Sequence, residues 1–538
     1  MLSSTFRRRD FLKVAGLGAG TLLAPNMLLA QSDDRRLPNI VLYLADDMGY
    51  GDPQFLNPIS KIPTPFMNRL AGEGMIFTDA HAPASACTPT RYGILTGRYC
   101  WRTRLKRSVL KPWDPPLIDK ERLTLPAMLK LHGYASACIG KWHLGWDWPT
   151  KDGEMVPEYL KQFGYQGSAR LSDYPIDFTQ PISNGPTSRG FDYFFGVDVP
   201  NYPPYCFIEN DQTIGVPSVI KSMDQYYGLV GPALADWKLE KILPTLTRKA
   251  VKFIDNHVKQ HRDTPFFLYF ASTAPHTPIV PNEPFQGRSS AGPYGDLVHE
   301  VDWTIGQLME SLDRNALVED TIFIVTSDNG SPGRAGDPYT HGKDFHPFGT
   351  VTTKFGHEPN WPWRGMKRSI WEGGHRIPLI VRWPKRIKNS SICTQTVCLT
   401  DLMATFAKVV GYQLLDDAGE DSYDISPLWY GLTRNPIREA TVLQSSSGGF
   451  GIRQGRWKLI TGLGALGTES AWSPQLLERI LNKLRQLTGE EQPNGQLYDM
   501  QLDPREQTNL WNDRQDVVRQ LTELLERYKR EGRSVPRN

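Results

Sequence analysis

The sequence predicts an α/β protein: a large, mostly parallel central sheet flanked by helices, then a smaller C-terminal part with an antiparallel sheet and a helix. Three observations predict it. Continuous apolar runs of strand length recur along most of the chain, as strands buried on both faces of a parallel sheet require. Amphipathic segments of helical period lie between them. From about residue 438 the pattern changes to short alternating segments with turn signals, which reads as antiparallel strands. At 538 residues the chain exceeds one ordinary domain, and its 39% hydrophobic, 22% charged composition is globular. The expected organisation is residues 1–30 as a targeting segment, 31–435 as the main α/β domain and 436–538 as a smaller α+β domain.

Taken in order, residues 1–30 carry Arg8, Arg9, Phe11, Leu12 and Lys13 ahead of a Gly-interrupted apolar run ending at Ala30. This resembles a cleaved twin-arginine export signal. The run is short and broken by glycines and Pro25, so stable membrane insertion is not expected. Export implies the twin-arginine translocase as a partner and a periplasmic or secreted bacterial location. Arg7, Arg8, Arg9 and Lys13 against Asp10 account for the formal +3 of the whole chain. The remainder is near neutral, and no nucleic-acid partner is expected.

The first strand spans residues 39–45 (NIVLYLA) and runs into Asp46 and Asp47. A second, 135–139 (ASACI), leads into GKWHLG with Lys141 and His143. A third, 265–272 (PFFLYFAS), ends near His276, and a fourth, 321–326 (TIFIVT), ends at Asp328 and Asn329. Helices are expected over 123–131, 245–257, 298–312 and, near the C-terminus, 516–532. Ligands of open α/β sheets sit at the carboxyl ends of strands. One polar junction there is common; four of them predict a shared site.

Asp46, Asp47, Asp328 and the amide oxygen of Asn329 are hard oxygen donors suited to Ca²⁺ or Mg²⁺ rather than a thiophilic metal. Each acid alone reads equally as a turn residue or cap. Lys141 and His143, two apart, fall on one side of an extended backbone. His276, between Pro275 and Thr277-Pro278, sits in a rigid turn, and Lys367 adds another cation. Together these describe a cationic pocket around an oxygen-coordinated metal, a place for a tetrahedral oxyanion ester.

Six cysteines are thinly spread, and Cys393 and Cys398 are near enough for a local disulfide, a pairing the sequence leaves open. Cys87 stands apart in SACTPTRYGILTGRY. The order Cys87-Thr88-Pro89-Thr90-Arg91 followed by Leu95-Thr96-Gly97 resembles the type I sulfatases of the alkaline phosphatase superfamily. The match continues through Asp46-Asp47, Gly140 to Gly145, Pro275-His276, Asp328-Asn329-Gly330, and Lys367 ahead of Glu372-Gly373-Gly374, roughly residues 38–410.

The resemblance implies an alkaline phosphatase-like fold and conversion of Cys87 to formylglycine (3-oxoalanine) by a formylglycine-generating or radical sulfatase-maturating enzyme. One hydroxyl of the hydrated aldehyde would attack sulfur; the other would let the resulting sulfoenzyme intermediate collapse, an exit that a cysteine lacks. The family pattern places Ca²⁺, in preference to Mg²⁺, on Asp46, Asp47, Asp328, Asn329 and the modified residue 87. It assigns Arg91, Lys141 and His143 to the hydrate, with Asp328 also taking a proton from the attacking hydroxyl. His276 and Lys367 bind sulfate oxygens and protonate the leaving alcohol. Pro89 is expected in the first turn of a helix. Thr90 departs from the Ser or Ala of many members but leaves Cys, Pro and Arg intact, and Asn201 in GVDVPNYPPY is a candidate for one further pocket position.

The expected activity is hydrolysis of an O-sulfate ester on a sulfated carbohydrate, exo-acting on fragments. The segment 330–363, rich in Gly, Pro, His and Trp, reads as a recognition loop in which His341 reaches a sugar hydroxyl and aromatic rings stack on sugar faces. Two other readings stand beside it. A phosphodiesterase or phosphonate monoester hydrolase of the same superfamily shares the geometry, although a phosphoester dianion favours a second metal. A non-catalytic sulfoglycan-binding protein would keep Cys87 as a thiol.

Overall fold

A computed structural model describes residues 36–161, 168, 170–222, 228–333, 350–462 and 493–536. Residues 1–30, expected to be an export signal, and His341 lie outside the described residues. The four apolar runs become Asn39–Asp46, Ala135–Lys141, Phe266–Pro275 and Thr321–Ser327. Asn39–Asp46 lies at the centre, parallel to Phe266–Pro275 on one side and to Thr321–Ser327 on the other. Ala135–Lys141 adds in parallel beyond Phe266–Pro275, and Tyr193–Val197 beyond that. These five form the parallel centre of a 10-stranded mixed sheet with antiparallel additions at both flanks.

The reason for uninterrupted apolarity is visible in Asn39–Asp46. Ile40, Leu42 and Leu44 enter the core on one face; Val41, Tyr43 and Ala45 enter a second core on the other. Helices Ile242–His261 and Gly292–Arg314 cover that second face. They start earlier and end later than the periodicity suggests, because tertiary packing carries a helix past its most regular stretch.

The C-terminal segments form a four-stranded antiparallel sheet in sequence order: Thr441–Gln444, Phe450–Gln454, Trp457–Thr461 and Gly495–Asp499. Helix Gln515–Glu531 packs Val517, Val518, Leu521 and Leu525 against it. Residues 37–538 form one compact unit. All six cysteines are free, so Cys393 and Cys398 are not paired. No helix among the described residues is long and apolar enough to cross a membrane.

Candidate active site

The carboxyl ends of the parallel strands converge. Asp46 is the last residue of its strand, where the register to Phe266–Pro275 shifts, and Asp47 follows at φ 73°. A left-handed conformation is costly for a non-glycine residue and clusters at functional sites. Here it is held by Asp47 N–H donating to Asp328 Oδ1 at 3.1 Å and Met48 N–H donating to Ser327 Oγ at 3.0 Å. Gly140, at φ 124°, lets the next strand end pass: a Cβ there would lie 1.8 Å from the Ala271 carbonyl.

Cys87 is the first residue of helix Cys87–Thr96, with Pro89 in the first turn. Its thiol donates to Asp46 Oδ1 at 3.5 Å and accepts from Lys367 Nζ at 3.3 Å. Burial, aided by Asp328, pushes the thiol up to about 12. As a thiol, residue 87 stays protonated at neutral pH and makes a poor nucleophile.

Three ion pairs surround it. Lys141 Nζ donates to Asp46 Oδ2 at 2.8 Å, Lys367 Nζ reaches Asp47 Oδ1 at 2.6 Å, and Arg91 Nη2 donates to Asp328 Oδ2 at 2.9 Å. Burial works against the Asp46 charge, yet Lys141, His276, Arg91 and Lys367 hold it well below the usual range. Asp328 goes the other way, raised to about 7 by burial and by Asp46. Three acids and three bases leave the cluster formally balanced.

Part of the expected donor set gathers as a cation site: Asp46 and Asp47 come together with residue 87 and His276, and Asp328 falls outside that group. Ligand atoms of Asp46, Asp47, Cys87 and His276 lie within 4.8 Å of one another. Asn329 Nδ2 donates to Asp47 Oδ1 at 2.8 Å and to the Gly330 carbonyl at 2.9 Å, which turns Oδ1 away from both. That oxygen is buried and has no hydrogen-bond partner, an expense tolerated where a ligand accepts it. Oxygen donors of this kind select Ca²⁺ or Mg²⁺ over softer metals.

His276 follows Phe266–Pro275 and places Nε2 3.8 Å from Asp47 Oδ2, while Nδ1 contacts the Thr277 carbonyl at 2.6 Å. Burial, then Lys367, lower it to about 4. His143 is arranged differently from expectation. It sits in a turn at φ 54°, so it does not share one side of an extended run with Lys141. Its Nε2 contacts the Leu110 carbonyl at 3.1 Å, its buried Nδ1 has no hydrogen-bond partner, and its ring meets Tyr202 edge-on. Asn201 is buried next to Tyr202, its carbonyl accepting from Tyr205 Oη.

Of the 330–363 segment, residues 330–333 and 350–363 are described. His357 is buried against Asp52 Oδ1 at 2.9 Å, and Trp363 stacks on Arg376, so these two serve packing rather than sugar recognition. Sequence reasoning also passed over Asp198, whose carboxylate accepts from His143 N–H at 3.2 Å and Trp146 Nε1–H at 3.1 Å. The signal was present: the apolar strand Tyr193–Val197 runs into this acid just as the first and fourth of the predicted strands run into theirs. Thr88 was likewise missed; its hydroxyl donates to the His143 carbonyl at 3.1 Å.

A family model described as Sulfatase matches residues 38–412. This chain belongs to the sulfatase family. Among similar sulfatases, an N-acetylgalactosamine-6-O-sulfatase of Bacteroides thetaiotaomicron is 32% identical, covering 91% of this chain and 93% of the relative. Human arylsulfatase A is 30% identical over 88% of this chain and 83% of its own length. A solved structure from work on glycosaminoglycan metabolism by Bacteroides thetaiotaomicron superposes with a TM-score of 0.73 at 32% identity, covering 92% and 99% of the two chains. Membership makes this sulfatase a sulfuric ester hydrolase, and the cluster just described is its candidate catalytic and metal centre.

Proposed function

We propose that the protein is an exported sulfatase that removes an O-sulfate from a sulfated carbohydrate, using residue 87 in its formylglycine form and one Ca²⁺. The observation that carries the reading is Cys87 itself, buried at a helix start between Asp46 and Lys367, where its thiol is inert and its position is not. Formylglycine would supply the oxygen nucleophile that the thiol cannot. A divalent ion on Asp46, Asp47, Asp328 and Asn329 would supply positive charge beside the sulfate oxygens.

The chain's own groups do the rest. Arg91 holds Asp328 and approaches Asp46 Oδ1 at 3.4 Å, fixing two acids relative to residue 87. Lys141 orients Asp46, and His143, whose buried Nδ1 has no hydrogen-bond partner, would contact the hydrate. Asp328, held by Arg91, would take a proton from the attacking hydroxyl. Lys367 and His276 line the same space and would bind sulfate oxygens, with one of them passing a proton to the leaving alcohol. Asn201 and His341 are carried as further substrate contacts. Turnover of every sugar sulfate left intact by His341→Ala would remove His341 from that role.

The sugar class draws on the relatives: the Bacteroides protein is named for a 6-O-sulfated N-acetylgalactosamine, which makes 6-O-sulfated amino sugars the first substrates to try. Among the described residues one acidic cluster lies at residue 87, which favours a sulfate monoester over a phosphoester dianion, for which a second metal is favoured. Export through the twin-arginine translocase and maturation by a formylglycine-generating or radical enzyme complete the proposal. Peptide mass spectrometry of residue 87, on protein made with its maturing enzyme, tests it together with assays on a panel of saccharide sulfates. An intact thiol in fully active protein would overturn the proposal.

A further inference from the structure

A second buried charged cluster lies behind the site. Lys458, on strand Trp457–Thr461, donates from Nζ to Glu372 Oε1 at 2.9 Å, contacts His375 Nε2 at 3.1 Å and pairs with Glu506 Oε1 at 2.7 Å. Glu372 also pairs with Arg376 at 3.0 Å and lies 3.8 Å from Arg453. His81 Nδ1 faces His375 Nδ1 at 3.0 Å and its Nε2 meets Asp79 at 2.8 Å. His81, Glu372 and His375 resemble a metal triad in spacing. The ammonium of Lys458 already occupies the position between Glu372 and His375 that a cation would take.

Ion pairs this deeply buried are weak sources of stability, since desolvation offsets the attraction, and apolar replacements are often as good. Their geometry explains them better. Glu372 opens the short helix Glu372–His375 within a tight turn. Its N–H donates to Glu506 Oε2 at 2.7 Å, and Arg364 of the same turn donates to the Glu506 carbonyl at 2.5 Å. Glu506 adopts φ 56° while fully buried, a strained backbone held in place by these contacts. The other side of the turn faces the catalytic cluster. It carries Lys367, 2.6 Å from Asp47, and its Gly374 carbonyl accepts from Gly330 N–H at 2.9 Å, beside Asn329.

We propose that Lys458 and Glu506 are positioning residues: from the C-terminal sheet and the loop after it, they clamp Glu372 and thereby set Lys367 and the Asn329-Gly330 backbone at the sulfate site. The proposal rests on the reading of Lys367 as a sulfate contact. The C-terminal sheet then acts on the reaction by way of Glu372.

The test is a double-mutant cycle on matured enzyme, with an aryl or sugar sulfate as substrate. Lys458→Met/Glu506→Gln removes one positive and one negative charge, keeps the network formally balanced and keeps an acceptor for the Glu372 N–H. It is expected to lower kcat/KM about tenfold or more, while in a Lys367→Ala background the same pair lowers it less than about twofold, as coupled positions require. An equal fold loss in both backgrounds, or unchanged kcat/KM in folded double variant, overturns the positioning role. Unimpaired activity of Lys367→Ala alone overturns the sulfate-site reading, and the positioning role with it. Should the double variant fail to fold, Glu506→Gln alone is judged by the same comparison. Lys458→Arg, which keeps the charge, is expected to retain more activity than Lys458→Met.

Discussion

Replacing Arg91 with methionine deletes a fully buried cation while keeping much of its volume. The guanidinium donates to Asp328 Oδ2 at 2.9 Å and to the Lys141 carbonyl at 3.1 Å, and lies 3.4 Å from Asp46 Oδ1. Deleting one partner of a buried pair costs about 3–5 kcal/mol, chiefly because the other charge is stranded. With an unfolding entropy of about 2.1 cal/mol/K per residue, that corresponds to a Tm lowered by about 3–4 °C for a chain of 538 residues. Asp328, already raised to about 7 by burial and Asp46 against the pull of Arg91, moves further up and offers less anionic oxygen to a metal. Calorimetry of Arg91→Met and of Arg91→Met/Asp328→Asn reads the effect. The second change removes the stranded acid, so it is expected to restore at least half of the lost Tm while activity stays abolished. A Tm within about 1 °C of the wild type for Arg91→Met, or no recovery in the double variant, would refute the reasoning.

Other consequences follow from the same geometry. Chelation is expected to abolish sulfatase activity and lower Tm, with recovery on adding Ca²⁺; stabilisation of about 2.7 kcal/mol accompanies metal at 100 times Kd, and full activity in chelator would contradict the metal assignment. Gly330→Ala puts a Cβ 1.9 Å from the Gly373 carbonyl; a loss of about 3 kcal/mol and a fall in kcat/KM are expected, since backbone on both sides must move. Asp302 accepts from Phe66 N–H at 3.1 Å and Met67 N–H at 2.7 Å, and burial raises it to about 7 from 3.8. A folded pKa above the unfolded one stabilises at low pH and loses that benefit as pH rises through about 4 to 7. The stability gap between wild type and Asp302→Asn is therefore expected to shift against the wild type over that window, by at most about 4 kcal/mol; a pH-independent gap would show that Asp302 does not titrate there.

Residues near one another in sequence explain what was legible beforehand. Apolar runs such as residues 39–45 read as strands because both faces of each are buried, and the acids after them read as a site because the chain must leave the sheet there. The Cys87 to Arg91 spacing was readable because it occupies one helical turn. His143 was misplaced because its left-handed turn depends on Asp198 and Leu110, which neighbouring residues do not reveal. The burial of His357 was not legible because Asp52, its partner, is 305 residues away.

By itself, the sequence determined four of the central strands, the polar residues at their ends and the Cys87 to Arg91 spacing, since periodicity and short-range spacing act within a few residues. Tertiary structure alone decided which charge neutralises which: Lys141 with Asp46, Lys367 with Asp47, Arg91 with Asp328, and Lys458 with Glu372 from another sheet. Those pairings depend on distances of a few ångströms between residues dozens to hundreds apart, and only the packed sheet fixes such distances.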